Sequence, residues 1–241
     1  MTPRKPFLDA LVSLLTPDDV LVSCLGANAR WLPHMKVAAP VFALCDSMSA
    51  AIPLALGIAL TRPDRHVVAL EGDGSLLMSP NVLATVAAAR PSNLTSLLWV
   101  NGHYESSGGQ ALPGAPVDWP ALARASGIPH VATVDEPGGL AAALAAARRA
   151  PGPALLVLPI AFDPAESIPP YSERPEEIRA RFRLYRAGHS APVSTQARIS
   201  AAKVVCVPGA GRRPGPGAHA HVMRRSPSTW DTMSASWRLP F

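Results

Sequence analysis

His66-Val67-Val68-Ala69-Leu70-Glu71-Gly72-Asp73-Gly74-Ser75 is the stretch that decides the fold. A β-branched apolar run that ends on a glycine-flanked aspartate reads as a strand, His66 to Glu71, emptying into a tight loop. Working outward, comparable runs occur at Val20 to Leu25, Val41 to Leu44, Ser96 to Val100, His130 to Val134 and Ala154 to Leu158. Between them lie Ala- and Leu-rich segments with helical character: Phe7 to Leu15, a region within Met48 to Leu60, Asn81 to Arg90, Trp119 to Ala125 and Leu140 to Arg149. Strands alternating with helices predict an α/β fold, a doubly wound parallel sheet covered on both faces. Ser79-Pro80 predicts a helix start, with serine as cap and proline at the first helical position. Pro53 lacks a backbone donor, so its helix is expected to begin only near Ala51.

The 241 residues are 48% apolar and 16% charged, enough for one core with a tail. Three cysteines, at 24, 45 and 206, are too far apart for a metal knuckle and leave one thiol over in any disulfide scheme, which points to a reducing, cytoplasmic setting. The apolar run Ala50 to Leu60 is about half the ~20 residues a spanning helix needs, so no membrane insertion is expected. The net charge of +5 is concentrated: residues 191–241 hold seven of the 22 basic residues and one of the 17 acidic ones. The body is therefore close to neutral, and a nucleic-acid partner is not expected. Residues 1–190 form the expected α/β domain, and 191–241 a basic Pro/Arg/Gly-rich tail whose composition predicts disorder.

Open parallel sheets bind ligands beyond the carboxyl ends of their strands. Two such ends carry chemistry: Gly72-Asp73-Gly74-Ser75, and Asn101 to Gln110 after the strand Ser96 to Val100. If those strands are neighbours, Asp73 and Asn101 enter one crevice. A carboxylate, an amide oxygen and a backbone carbonyl are hard ligands that suit Mg²⁺, and the glycines allow close approach of a diphosphate. Either segment alone reads equally well as a turn with a solvated polar residue. There is no nucleophile elbow, P-loop or zinc pair.

Taken together, Gly72-Asp73-Gly74 and Asn101, with 26 residues between Gly74 and Asn101, resemble the thiamine diphosphate signature. The resemblance implies Mg²⁺ held by Asp73, the Asn101 side chain and the backbone carbonyl of His103. Upstream, Cys45-Asp46-Ser47-Met48-Ser49 resembles the Gly-Ser-Met-Gly segment of thiamine diphosphate decarboxylases acting on phosphonopyruvate and sulfopyruvate. Met48 would then be the apolar wedge beneath the cofactor, with the Asp46 carbonyl and the Met48 N–H on the aminopyrimidine. The implied cofactor-binding set is Asp46, Ser47, Met48, Gly72, Gly74, Ser75, Leu76, Asn101 and Tyr104, with Ser75 on the diphosphate. His103, counted with Met48 as catalytic, is a candidate proton shuttle or else a loop-packing residue, and Arg30, following Val22 to Gly26, is a candidate anchor for an acidic substrate group or else a solvated helix cation or internal ion-pair member. The sequence departs from the resemblance where Asp46 and Ser49 stand in place of glycines, and where Val100 precedes Asn101 in place of a first asparagine.

The same resemblance implies a thiamine diphosphate- and Mg²⁺-dependent subunit of a 2-oxo acid decarboxylase, releasing CO₂ and an aldehyde from a phosphonopyruvate- or sulfopyruvate-like substrate. The glutamate that activates the cofactor's pyrimidine belongs in such enzymes to a separate pyrimidine-binding domain. Glu71, Glu105 and Glu136 all fall in the diphosphate-binding half, so a partner subunit supplying that glutamate, and hence a hetero-oligomer, is expected. The alternatives are an acetolactate-synthase-like carboligase subunit and a non-catalytic cofactor-binding subunit.

Overall fold

The computed structural model describes residues 1–114 and 116–186, so the tail expected at 191–241, and Cys206 with it, lies outside the described residues. The helices are α1 (Arg4–Leu14), α2 (Ala27–Trp31), α3 (Ala51–Thr61), α4 (Asp73–Leu77), α5 (Val82–Ala89), α6 (Trp119–Ala125), α7 (Leu140–Arg149) and α8 (Pro175–Arg186). The strands are β1 (Asp19–Ser23), β2 (Val41–Ala43), β3 (His66–Gly72), β4 (Leu94–Val100), β5 (His103–Tyr104), β6 (Gln110–Ala111), β7 (His130–Thr133) and β8 (Ala154–Pro159). Six strands form one parallel sheet in the order β2-β1-β3-β4-β8-β7, and β5 and β6 pair as a small antiparallel ribbon. The doubly wound α/β expectation holds. Strand order reverses between β1 and β3, and that switch point is where an open α/β sheet offers a crevice.

Alternation along the strands sorts side chains into two cores. Val20, Val22, Val67 and Ala69 pack beneath α3 and α5, while Leu21, Val68, Leu70 and Leu97 pack beneath α1 and α7. Both faces are covered, which is why β1 and β4 read as continuous apolar runs. In α7, Leu140, Leu144 and Ala147 recur at helical spacing and form its buried stripe.

The start of α3 resolves the conflict at Pro53. The Ala51 and Ile52 N–H groups donate to the Glu71 carboxylate at 3.2 and 3.4 Å, Pro53 has no donor to satisfy, and Leu54 N–H already reaches Ala50 O at 3.1 Å. The buried end of β3 thus caps the helix.

Two expectations need correction. The helix after Ser79-Pro80 starts at Val82, because the Val82, Leu83 and Ala84 amides turn back onto Ser79, Pro80 and Asn81 carbonyls, and Asn81 makes no side-chain cap. The Gly72-Asp73-Gly74-Ser75 segment is not a loop running on to Ser79, since α4 begins at Asp73 itself. Segments without a strong periodic signal, α2, α8 and the β5–β6 ribbon, are additions to the expected elements. α8 buries Ile178 against Ala29 and Ala43 and sets Phe182 edge-on to Phe42 at 5.2 Å, closing the β2 edge. Among the described residues no helix is long and apolar enough to cross a membrane.

His66, at the start of β3, accepts or donates at 3.0 Å to Thr95 Oγ1, and burial, reinforced by the Arg148 charge, pushes its imidazole down to about 4. The folded protein therefore resists protonating it. The stability it contributes is full above its unfolded value near 6.5 and is lost as pH falls toward 4, on the order of 3 kcal/mol. Urea unfolding at pH 7.5 and pH 4.5 is expected to show a smaller acid-induced loss for His66→Gln than for the wild type.

Candidate functional site

Asp73 and Asn101 are brought together as expected, because β3 and β4 are paired in register from Val67↔Leu94 to Gly72↔Trp99. Asp73, 2% exposed, leaves the end of β3 and spans the gap between the strands. Its Oδ1 accepts from Gly74 N–H at 2.8 Å and its Oδ2 from Gly102 N–H at 2.7 Å. Burial pushes its carboxyl above the usual range, opposed by those amide donors. Asn101 Oδ1 accepts from His103 N–H at 2.9 Å. Gly74 allows the Tyr104 ring to lie against the backbone, since a Cβ there would sit 2.8 Å from Tyr104 Cδ1.

These groups face one cleft at the strand ends, with a free volume of about 70 Å³. Met48, Gly72, Asp73, Gly74, Ser75, Asn101, His103 and Tyr104 all line it. Other expected residues do not. Asp46 and Ser47 are exposed on the loop before α3, so the Asp46 carboxylate stays in water. The Leu76 side chain is fully buried in the core, which leaves only its backbone for a ligand. Arg30 turns away, donating to Pro169 O at 2.5 Å and Ile168 O at 3.0 Å, with Tyr171 beside its guanidinium.

His103 Nδ1 lies 2.8 Å from the Asn101 carbonyl oxygen, which requires the proton on Nδ1 and leaves Nε2 as the accepting nitrogen. Its ring stacks on Phe162 at 4.0 Å. Phe162 opens a segment after β8 that no sequence pattern singled out. That segment crosses the strand ends, setting Glu166 on Arg4 and on Trp31 Nε1, and Tyr171 Oη against Gly26 N–H at 2.8 Å.

Several cleft residues also escaped the sequence reading. Arg4, from the start of α1, is 3% exposed and pairs with Glu105 and Glu166. A long-range ion pair has no sequence spacing by which to find it. Asn28 Oδ1 and Trp99 Nε1 are buried in the wall without a hydrogen-bond partner among the described residues, an acceptor and a donor that a polar ligand could satisfy. Cys24 is a wall residue whose thiol is pushed up to about 12 by burial and then by the nearby Glu71 charge.

The donor set is therefore oxygen: one carboxylate, one amide and backbone groups. Among the described residues no three His, Cys, Asp or Glu side chains gather to cage an ion. That pattern fits Mg²⁺, which takes one or two protein ligands and fills its octahedron with water and phosphate oxygens. A parallel α/β sheet with such a cleft at its switch point, lined by a methionine and a glycine-flanked aspartate, defines a thiamine diphosphate-binding domain.

The chain belongs to the thiamine pyrophosphate enzyme family, residues 26–158 matching its C-terminal TPP binding domain. It is 38% identical over 182 residues to a phosphonopyruvate decarboxylase of Streptomyces hygroscopicus, covering 76% of this chain and 45% of that one. It is 36% identical over 120 residues to sulfopyruvate decarboxylase subunit beta of Methanothermobacter thermautotrophicus, covering 49% and 64%. A solved chain from Mycobacterium smegmatis, assigned to the thiamin diphosphate-dependent enzymes, superposes with a TM-score of 0.56 at 30% identity over 67% of this chain and 32% of that one. The chain spans about half the length of the phosphonopyruvate decarboxylases it matches.

Ser49 explains why a glycine suits its position: its φ is +55°, in the left-handed region. Its N–H donates to Ser75 Oγ at 2.6 Å, which holds it there and links the Met48 loop to α4. Relieving the Cβ penalty, Ser49→Gly is expected to raise the unfolding free energy by about 1 kcal/mol in urea melts.

Proposed function

We propose that this chain is the diphosphate-binding subunit of a thiamine diphosphate-dependent 2-oxo acid decarboxylase. Its substrate would be a 3-phosphono- or 3-sulfopyruvate-like acid, and its products CO₂ and an aldehyde. The observation that carries this reading is the pairing of β3 and β4, which sets Asp73 and Asn101 side by side in the cleft that Met48 lines. The names of the relatives support the substrate class.

In this reading Asp73, the Asn101 amide oxygen and the His103 carbonyl hold Mg²⁺, which neutralises the diphosphate. Gly72, Gly74, Ser75 and the Leu76 backbone receive the diphosphate. Met48 wedges the bound cofactor into its reactive shape, with the Asp46 carbonyl and the Met48 N–H at the aminopyrimidine and Ser47 between them. Thiamine diphosphate, when bound, supplies the carbon nucleophile for the keto group and the sink for the electrons that CO₂ leaves behind. His103, with Nε2 as acceptor, is placed to take or return a proton at the cleft. Arg30 spends Nε and Nη2 on two carbonyls, which leaves its Nη1 donors for an acidic substrate group.

The pyrimidine-activating glutamate comes, in this proposal, from a partner's pyrimidine-binding domain in a hetero-oligomer. The candidates on this chain are otherwise engaged or misplaced. Glu71 lies outside the cleft lining and gives Oε2 to the first amides of α3, Glu105 is engaged with Arg4 and Asn101, and Glu136 is exposed and outside the cleft lining.

Two measurements test the reading. Calorimetry is expected to show thiamine diphosphate binding that needs Mg²⁺ and that weakens about 100-fold, or roughly 3 kcal/mol, in Asp73→Ala. Equal binding by both proteins would remove the metal assignment. Assays of CO₂ release from phosphonopyruvate, sulfopyruvate and pyruvate are expected to need a pyrimidine-domain partner, with Met48→Ala lowering kcat more than affinity. Turnover by the isolated chain would refute the divided site, and bound cofactor without decarboxylation of any of the three would favour carboligation or a non-catalytic role.

A further inference from the structure

An asparagine that ligates a cation must present its oxygen, yet the two ends of its amide have nearly the same shape. At Asn101 the choice is made by its neighbours. Nδ2 donates to Glu105 Oε2 at 3.2 Å, and Oδ1 accepts from His103 N–H at 2.9 Å. A carboxylate only accepts and a backbone N–H only donates, so a flipped amide would set oxygen against oxygen and N–H against N–H. One lone pair of Oδ1 goes to His103, and the other is left for a cation.

Glu105 is itself fixed. Arg4 grips both of its oxygens in a two-pronged contact, Nη1 to Oε1 at 3.0 Å and Nη2 to Oε2, and uses Nη1 again on Glu166 Oε2 at 3.1 Å. Arg4 is 3% exposed, and Glu105 and Glu166 are each 18% exposed, so solvent screens this cluster little. One guanidinium faces two carboxylates. The cluster therefore carries a formal charge of −1 directly behind the amide, the sign that favours a dication in front of it.

We infer that Glu105 and Arg4 are positioning residues for the metal-facing amide of Asn101, an inference that rests on the reading of Asn101 as a Mg²⁺ ligand. Glu105, together with the His103 N–H, selects which end of the amide faces the cleft, and the Arg4 fork holds the Glu105 carboxylate in position to do so. A glutamine at position 105 cannot satisfy all its neighbours, because Oε2 accepts from both Arg4 Nη2 and Asn101 Nδ2 while Oε1 accepts from Arg4 Nη1, so its NH₂ group meets a donor on either side. The grip on the Asn101 amide is loosened, and only the His103 N–H is left to hold its oxygen in the ligating sense.

The test is a Mg²⁺ titration of thiamine diphosphate binding to the full chain, read by calorimetry. Glu105→Gln is expected to raise the half-saturating Mg²⁺ concentration about 10- to 100-fold, as for loss of other groups that orient a metal ligand. Adding Asn101→Asp to Glu105→Gln replaces the amide by a carboxylate that needs no orienting and that accepts from the introduced glutamine. This pair is expected to return to within about threefold of wild type, a strong coupling between neighbours. Arg4→Lys, which keeps a charge between the two carboxylates but loses the fork, is expected to raise the Mg²⁺ requirement less than Glu105→Gln does, and it carries the test should Glu105→Gln not fold. An unchanged Mg²⁺ requirement in folded Glu105→Gln or Arg4→Lys, while Asp73→Ala raises it, would overturn the inference and leave the metal site standing. A pair that binds worse than Glu105→Gln alone would also overturn it. Insensitivity of Asp73→Ala as well would instead bring down the underlying metal assignment.

Discussion

The end of β3 delivers two buried carboxylates, and the site depends on where each spends its oxygens. Glu71, wholly buried, accepts from the first two amides of α3, the helix that follows the Met48 loop. Two residues on, Asp73 accepts from Gly74 and from Gly102 at the end of β4. One strand end thereby anchors the helix behind the Met48 loop through Glu71 and the chain leaving β4 through Asp73. Burial pushes both carboxyls up, and the amide donors oppose that rise. Hydrogen bonds to a charged group contribute about 1.5–3 kcal/mol each. Losing either carboxylate would free backbone donors as well as remove a charge, so neither can be treated as a replaceable surface acid.

Around this centre the remaining charges are paired by segments distant in sequence. Arg4 comes from the first turn of α1, Glu105 from the turn after β5, and Glu166 from the segment beyond β8, and they meet at one wall of the cleft. The segment carrying Glu166 has no regular secondary structure, and it is held by side chains instead: Phe162 on His103, Glu166 on Trp31, Tyr171 on Gly26. A buried ion cluster of this kind contributes less to net stability than to fixing one arrangement, because desolvation offsets much of the attraction. Here the arrangement fixed is the direction of the Asn101 amide.

The architecture was legible in the sequence because burial on both faces writes each parallel strand as an apolar run. All six sheet strands lie where those runs lie, and α6 and α7 begin and end at the residues read for them. The aspartate and asparagine were legible because strand ends are where such sheets bind ligands. What escaped reading has local or long-range causes. Ser79-Pro80 has the chemistry of a helix start, but the chain makes a turn there first. The helical course of Asp73–Leu77 was hidden because its glycines argue for a loop, and only the tertiary anchoring of Asp73 makes a turn of helix pay. Arg4 and Glu105, separated by 101 residues, share no spacing at all.

The two positions that depart from the family's glycines have different physical consequences. At Asp46 the side chain is exposed, so the added carboxylate keeps its water and burdens neither the fold nor the cleft. At Ser49 the backbone is left-handed, and the cost of a Cβ is borne in the folded state. Yet the Ser49 amide is held by Ser75 Oγ, a residue of the expected diphosphate loop, so strain at the Met48 loop and the geometry of that loop are connected through one 2.6 Å contact. A serine at 49 thus costs stability without displacing Met48 from the cleft. With serine at 49, Met48 still lines the cleft beside Ser75 and Asp73.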